Sequence, residues 1–203
     1  MSSSNTGGTT ATISAKQDNL LFVPGYLRMQ EGIDFCTLQM LDSGSTGNLY
    51  KGAIIRKGLP KAQTSDIAIK QLVDVTDECF HYEVAISNLV SNSENVVKII
   101  GYQDDPNMMI MELCDGSLLD LIMRNGSAIL ANNMRLQAIK DIANGCKYIH
   151  SQRVIHFDIK PANILFKWLS DSKYIFKVSD FGVTRLFKSE SIFKIVSFSS
   201  FLV

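Results

Sequence analysis

One stretch leaves this chain little freedom in how it can fold: Val154-Ile155-His156-Phe157-Asp158-Ile159-Lys160-Pro161-Ala162-Asn163-Ile164-Leu165, followed by Asp180-Phe181-Gly182. Two apolar runs, Val154-Ile155 and Ile164-Leu165-Phe166, bracket a polar segment carrying Asp158, Lys160 and Asn163. Pro161 has a fixed φ and no backbone N–H, so the polar segment reads as a rigid loop between strands. Asp180 follows the strand-like run Tyr174-Ile175-Phe176-Lys177-Val178 and precedes a glycine, which puts a second carboxylate at a strand end. A proton acceptor, a cation and two oxygen ligands for a hard metal are the parts that phosphoryl transfer uses. Either polar cluster alone reads better as solvated residues in a strand–turn–strand. Both together, in this order, favour the chemical reading.

The two motifs resemble the catalytic loop and the metal-binding Asp-Phe-Gly triplet of the eukaryotic protein kinases. The resemblance implies an α+β, bilobal fold with a β-rich N-lobe carrying one main helix, and a helical C-lobe that is incomplete here. It also implies ATP as phosphoryl donor, Mg²⁺ as cofactor and a protein substrate. In that pattern Asp158 takes the hydroxyl proton, Lys160 stabilises the transferring group, and Asn163 and Asp180 hold the metal.

Upstream, Asp34 to Leu41 alternates as a strand and leads into Asp42-Ser43-Gly44-Ser45-Thr46-Gly47-Asn48-Leu49-Tyr50-Lys51-Gly52. Glycines let a backbone approach a ligand, and hairpin N–H groups can face phosphate oxygens. The turn is similar to the family's glycine-rich loop, with Gly44 and Gly47 at its second and third glycine positions. Asp42 stands at the first, where a carboxylate near phosphates is unhelpful. After a connecting loop at Gly58-Leu59-Pro60 and Gln63-Thr64-Ser65, Asp66-Ile67-Ala68-Ile69-Lys70-Gln71-Leu72 alternates again. A lysine on an apolar strand face needs an anion or water. By resemblance Lys70 contacts the α- and β-phosphates, and Glu83, on an amphipathic helix from Asp77 to Val90, pairs with it. A snorkelling lysine and a surface glutamate are the plain alternatives.

Val96 to Tyr102 and Met108 to Leu113 read as two strands about the turn Asp104-Asp105-Pro106-Asn107. The resemblance places Met111 as gatekeeper, the Glu112 C=O and the Cys114 backbone against adenine, and Leu49, Ala68 and Leu165 among the nucleotide-contacting side chains. Asp120, near the start of a helix opened by Gly116 to Ile122, is either a ribose contact or an acid facing the helix dipole. Asn132 to Ser151 has apolar residues at helical spacing, with Gly145 inside it costing about 1 kcal/mol relative to alanine.

Composition narrows the setting. Twenty basic and twenty acidic residues among 203 give a net charge of zero, so nothing in the balance points to nucleic acid or a membrane surface. Cys36, Cys79, Cys114 and Cys146 are dispersed, and the Ser/Thr/Gly-rich start has no secretory pattern. Free thiols in a cytoplasmic protein are expected. Residues 1–30 read as a disordered or extended segment, 31–187 as a partial kinase domain divided near Leu113, and 188–203 as an unrelated apolar tail. No A-P-E triplet follows Leu186. A frameshifted, read-through or incomplete gene product is the expectation, with a genuine short capping tail as the alternative. The helix at 132–151 would then keep an apolar face without its usual neighbour. Each large side chain left in water forgoes about 1.5–3 kcal/mol of a net stability of about 5–15 kcal/mol.

Lys160-Pro161 favours Ser/Thr over Tyr acceptors, and the short interval from Lys70 to Glu83 is similar to the tyrosine-kinase-like branch. Phe157 stands where most of the family has an arginine that pairs with an activation-loop phosphate, which a phenyl ring cannot do. Activity is therefore predicted to be insensitive to that phosphorylation. Ser189→Glu or Ser191→Glu should leave phosphotransfer rates unchanged, and a strong rise in either variant would contradict the reading.

Overall fold

The computed structural model describes residues 27–44, 47–55, 65–125, 132–170 and 173–187. The expected loop at Gly58 to Thr64, the hairpin tip at Asp171-Ser172 and the segment 188–203 lie outside the described residues, as does most of the N-terminal segment.

The first lobe is an antiparallel sheet of β1 (Phe35–Gly44), β2 (Gly47–Ile54), β3 (Asp66–Leu72), β4 (Ile99–Gln103) and β5 (Met108–Glu112), in the order β1-β2-β3-β5-β4. Alternation in β3 and β5 sends Ile67, Ile69, Met108 and Ile110 into one cluster with Phe35, while Leu72 and Met109 join a second. Helix α1 (Asp77–Leu89) covers that second cluster with Phe80 and Val84. Thr76 starts the helix, its Oγ1 accepting from Cys79 N at 3.3 Å, and Asp77 and Glu78 in the first turn suit the dipole. Residues 27–30, read with the N-terminal segment, lie beside β4, where Arg28 bridges Tyr102 in parallel. Leu27 is buried and Met29 N donates to Tyr102 O at 2.8 Å.

The second lobe holds β6 (Gly116–Ser117), α2 (Leu118–Asn125), α3 (Asn132–Ser151), β7 (Val154–Ile155), a 3₁₀ turn at Pro161–Asn163, β8 (Ile164–Ser170), β9 (Lys173–Val178) and β10 (Arg185–Leu186). The strands pair as β6-β8-β9 and β10-β7. Together the lobes are the α+β bilobal arrangement expected, with few helices. On α3, Met134, Ala138, Ile142, Cys146 and Ile149 pack on the main apolar cluster, while Leu136 and Ile139 are 68% and 65% exposed, so only part of the helix's apolar surface is open.

The strand expected over Val96 to Tyr102 is divided. β4 begins at Ile99, while Val96 bridges Val178 in parallel. Val178 N donates to Asn95 O and Val97 N to Val178 O, both at 2.9 Å, and Asn95 Nδ2 reaches Phe176 O at 3.1 Å. The connection between α1 and β4 is thereby fastened to β9 of the second lobe. The largest apolar cluster crosses at this point, joining Ile86, Val90 and Val96 to Ile149, Val154, Ile164, Phe176, Val178 and Phe181.

Gly145 is explained by the same junction. A Cβ there would sit 2.6 Å from Asn95 O and 3.0 Å from Val178 Cγ2. The helix accepts glycine's propensity cost so that the crossing segment can approach it. Gly145→Ala should accordingly lower stability by about 1–3 kcal/mol, as overpacking does, although alanine is the better helix former. Urea unfolding is the check, and a gain of about 1 kcal/mol would overturn the close-approach argument.

Candidate functional site

Between the lobes, the sequence-selected side chains fall into two groups. In the first, Lys70 Nζ on β3 lies 2.8 Å from Glu83 Oε1 on α1 and 2.9 Å from Asp180 Oδ1 after β9. Glu83 is buried, Lys70 nearly so, and Asp180 is 43% exposed toward the cleft. Burial by itself would depress the Lys70 pKa, but the Glu83 and Asp180 carboxylates outweigh it and hold the ammonium above its ordinary value. For Asp180 burial pushes up, while the Lys70 charge and hydrogen bond and the Gly182 N–H pull the carboxyl below its ordinary value. Gly182 leaves room for this cluster, since a Cβ there would come 3.2 Å from Glu83 Oε2.

The second group is the loop itself. Asp158 Oδ2 accepts from Lys160 Nζ at 2.7 Å and from Asn163 Nδ2 at 2.8 Å, and the same amide also donates to the Asp158 carbonyl at 2.9 Å. Hydrogen bonding to Lys160 is the main cause that keeps the Asp158 carboxyl below its ordinary value. The expected rigidity comes from Pro161 opening the 3₁₀ turn, closed by Asn163 N donating to Lys160 O at 2.9 Å.

Two residues that sequence reasoning left without a task join the groups. Ser179 donates to Asn163 O through its N at 2.9 Å and its Oγ at 3.0 Å. His156 is buried, with Nε2 2.9 Å from Ser179 O and Nδ1 3.3 Å from Asp158 N. Nε2–H donates a hydrogen bond to that carbonyl and Nδ1 accepts one from the Asp158 amide, the pattern of the neutral Nε2–H tautomer. Burial lowers its pKa, in keeping with that form. The strand alternation Val154, Ile155, His156 could have placed this ring inward, because Val154 is buried too. Nothing in residue type marks Ser179, whose acceptor is a backbone carbonyl.

Phe157 and Asp180 both take left-handed backbone, at φ 63 and 66. Conformations of this kind cost about 1–3 kcal/mol in a non-glycine residue and collect at functional sites. Phe157 is 58% exposed.

The glycine-bearing hairpin separates its two glycines. Gly47 has φ 142 and a Cβ would collide with Gln71 O, so β2–β3 packing alone demands it. At Gly44 a Cβ would meet nothing within 4 Å, so the chain's own fold makes no such demand there. The Asp42 carboxylate turns onto its own turn, Oδ1 accepting from Ser43 N at 2.8 Å. Register sets Leu49 opposite Lys70 and Ala68 opposite Met111 across neighbouring strands. Leu165 on β8 lies opposite Lys177 of β9 and Ser117 of β6.

Asp120 forms a reciprocal cap, its Oδ2 accepting from Ser117 N at 2.8 Å while its own N donates to Ser117 Oγ at 3.1 Å. This capping box starts α2. Cys114 is pushed up to about 12 by burial first and then by the Glu112 charge, so its thiol stays protonated at neutral pH. All four cysteines are unpaired. Among the described residues, no three or more His, Cys, Asp or Glu side chains gather to hold a metal, and no helix is long and apolar enough to cross a membrane.

A family model described as protein tyrosine and serine/threonine kinase matches residues 35–196. This chain belongs to the protein kinase family. Curated relatives include the "Probable serine/threonine-protein kinase irlC" of Dictyostelium discoideum, 28% identical over 72% of this chain and 11% of that protein. The tyrosine-protein kinase hopscotch of Drosophila melanogaster is 31% identical over 76% of this chain and 13% of its own length. The dual specificity protein kinase zakA of Dictyostelium discoideum is 26% identical over 85% of this chain and 26% of its own length. The chain thus spans between about a tenth and about a quarter of these three kinases.

Proposed function

We propose that this kinase-family chain carries the site of an ATP-dependent protein kinase that phosphorylates Ser/Thr hydroxyls. The observation supporting it most is the convergence of Lys70, Glu83 and Asp180, bonded through Ser179 to the loop that carries Asp158, Lys160 and Asn163. Lys70, oriented by Glu83, pairs with the α- and β-phosphates. Adenine meets the Glu112 C=O and the Cys114 backbone, walled by Leu49, Ala68, Met111 and Leu165, with Asp120 beside the ribose and Gly44 and Gly47 over the phosphates. The clear space at Gly44 suits a phosphate above that hairpin.

Asp158 accepts the proton of the acceptor hydroxyl as its oxygen attacks the γ-phosphorus. The bond from that phosphorus to the β–γ bridging oxygen breaks, and ADP leaves. Lys160 lies beside Asp158, where it can neutralise charge on the transferring group. Two hard oxygen donors suit Mg²⁺, which takes one or two protein ligands and completes its shell with phosphates and water. With Asn163 Nδ2 committed to Asp158, the oxygen of that amide is the one left for the metal, alongside the exposed Asp180 carboxylate. Bound there, the metal would neutralise the phosphate charge.

Ser/Thr preference rests on Lys160-Pro161, and cytoplasmic location on the unpaired cysteines. A second reading, nucleotide binding without turnover, is favoured by one observation. Phe157, Ile159 and Val183 are 58%, 45% and 51% exposed about the loop, leaving Asp158 without a walled acceptor groove among the described residues. Purified chain with Mg-ATP and a generic protein substrate separates the two. Turnover reduced at least about 100-fold by Asp158→Asn supports the kinase. Mg-ATP-dependent thermal stabilisation with no turnover supports the second reading, and a chain that shows no turnover and no stabilisation contradicts both.

A further inference from the structure

Glu112 enters the proposed site only through its backbone, yet its side chain is one of the most heavily bonded in the chain. Oε1 accepts from Lys98 N at 2.9 Å and lies 2.8 Å from Lys177 Nζ, while Oε2 accepts from Lys167 Nζ at 3.3 Å. Neither partner of the tighter pair is open to water, the Lys177 and Glu112 side chains being 10% and 17% exposed. Burial would push the Glu112 carboxyl up, but the Lys177 and Lys98 hydrogen bonds and the lysine charges prevail and hold it ionised. A lysine enclosed to this degree persists only with its counter-ion.

What the lysines belong to matters more than their number. Lys167 is on β8 and Lys177 on β9, the two arms of one hairpin. β8 begins at Ile164, directly after Asn163, and β9 ends at Val178, two residues before Asp180. Leu165 and Lys177 are cross-strand partners, so the face bearing Lys177 is the one that carries the Leu165 nucleotide wall. Glu112 closes β5 on the other lobe, next to the segment assigned to adenine. One carboxylate therefore ties the adenine end of the cleft to the hairpin whose two ends hold the metal candidates.

We propose that the Glu112 side chain, with Lys177 and Lys167, is a positioning device that sets the separation between the adenine-binding strand and the Asn163–Asp180 pair. This rests on the nucleotide reading of the site proposed above. A nucleoside touches only the adenine side and is indifferent to that separation. Mg-ATP spans both sides and needs it correct, because misplacement by an ångström or so is costly wherever several groups must engage at once.

The experiment is calorimetric titration of the full chain with adenosine and, separately, with Mg-ATP. In Glu112→Gln the Mg-ATP affinity should fall about tenfold or more while adenosine changes less than about threefold. Removing a negative charge would by itself favour a triphosphate, so the expected loss runs opposite to a simple field effect. Should Glu112→Gln unfold because Lys177 is stranded, the double variant E112L/K177M replaces the buried pair with apolar groups, a change that folds tolerate. It should show the same selective loss. Equal loss of both ligands, or no loss of either, in the variant that folds would overturn the positioning role. Wild-type chain that binds neither ligand would overturn the nucleotide reading itself, and this inference with it.

Discussion

The arrangement turns on a cation kept out of water. Lys70 shares its strand face with the buried Ala68 and Leu72, and its ammonium is tolerable there only because two carboxylates from separate parts of the chain reach it. Glu83 comes from α1 and Asp180 from the end of β9, so one charge fixes a helix and a strand end relative to the sheet. Remove the cation and Glu83 is left as an uncompensated buried acid, a loss that typically exceeds what the pair itself contributes. The position of α1 and the position of Asp180 are consequences of the same electrostatic requirement.

A second requirement operates at the lobe junction, and it is apolar. Val96 and Val97 leave the first lobe's sheet and align with Val178, while Ile86 and Val90 share a core with Ile149, Val154 and Phe181. The lobes are thus joined by a common core at this point and by ionic contacts at Glu112, with the candidate site between. Asp158, Asn163 and Asp180 all attach to strands that enter this core. Their geometry is set by packing rather than by the loops alone.

Much of this was legible because it depends on residue type at fixed spacing. The two motifs, the alternating strands and the helix at Asp77 to Leu89 carry their own periodicity, and Lys70 announces itself as a charge on an apolar face. What could not be read depends on partners distant in sequence. The Val96 to Tyr102 run is apolar apart from Lys98 and Gly101, and nothing in it says that its first residues pair with β9 and only the later ones with β5. Gly145 looks like a weak point in a helix until Asn95 is seen against it. Asp120 also closes a capping box, which the Ser117 three residues upstream made visible. Glu112 was chosen for its backbone, and its side chain's three donors come from β8, β9 and the approach to β4.

The most direct test of the buried-cation claim is the Asp180 carboxyl pKa, followed by carbon NMR in the wild-type chain and in Lys70→Met. With the lysine present, the carboxyl should titrate below its ordinary value of 3.8, because the ammonium and the Gly182 N–H together overcome the cost of burial. The sign for stability follows from that direction: a depressed carboxyl stabilises the fold above pH 3.8, and that contribution is lost as the pH falls through the folded-state value. Without the lysine, burial dominates and the pKa should rise above 3.8. An Asp180 that titrates at its ordinary value in the wild-type chain, and does not respond to Lys70→Met, would show that the ammonium does not hold it, and the central claim would fail.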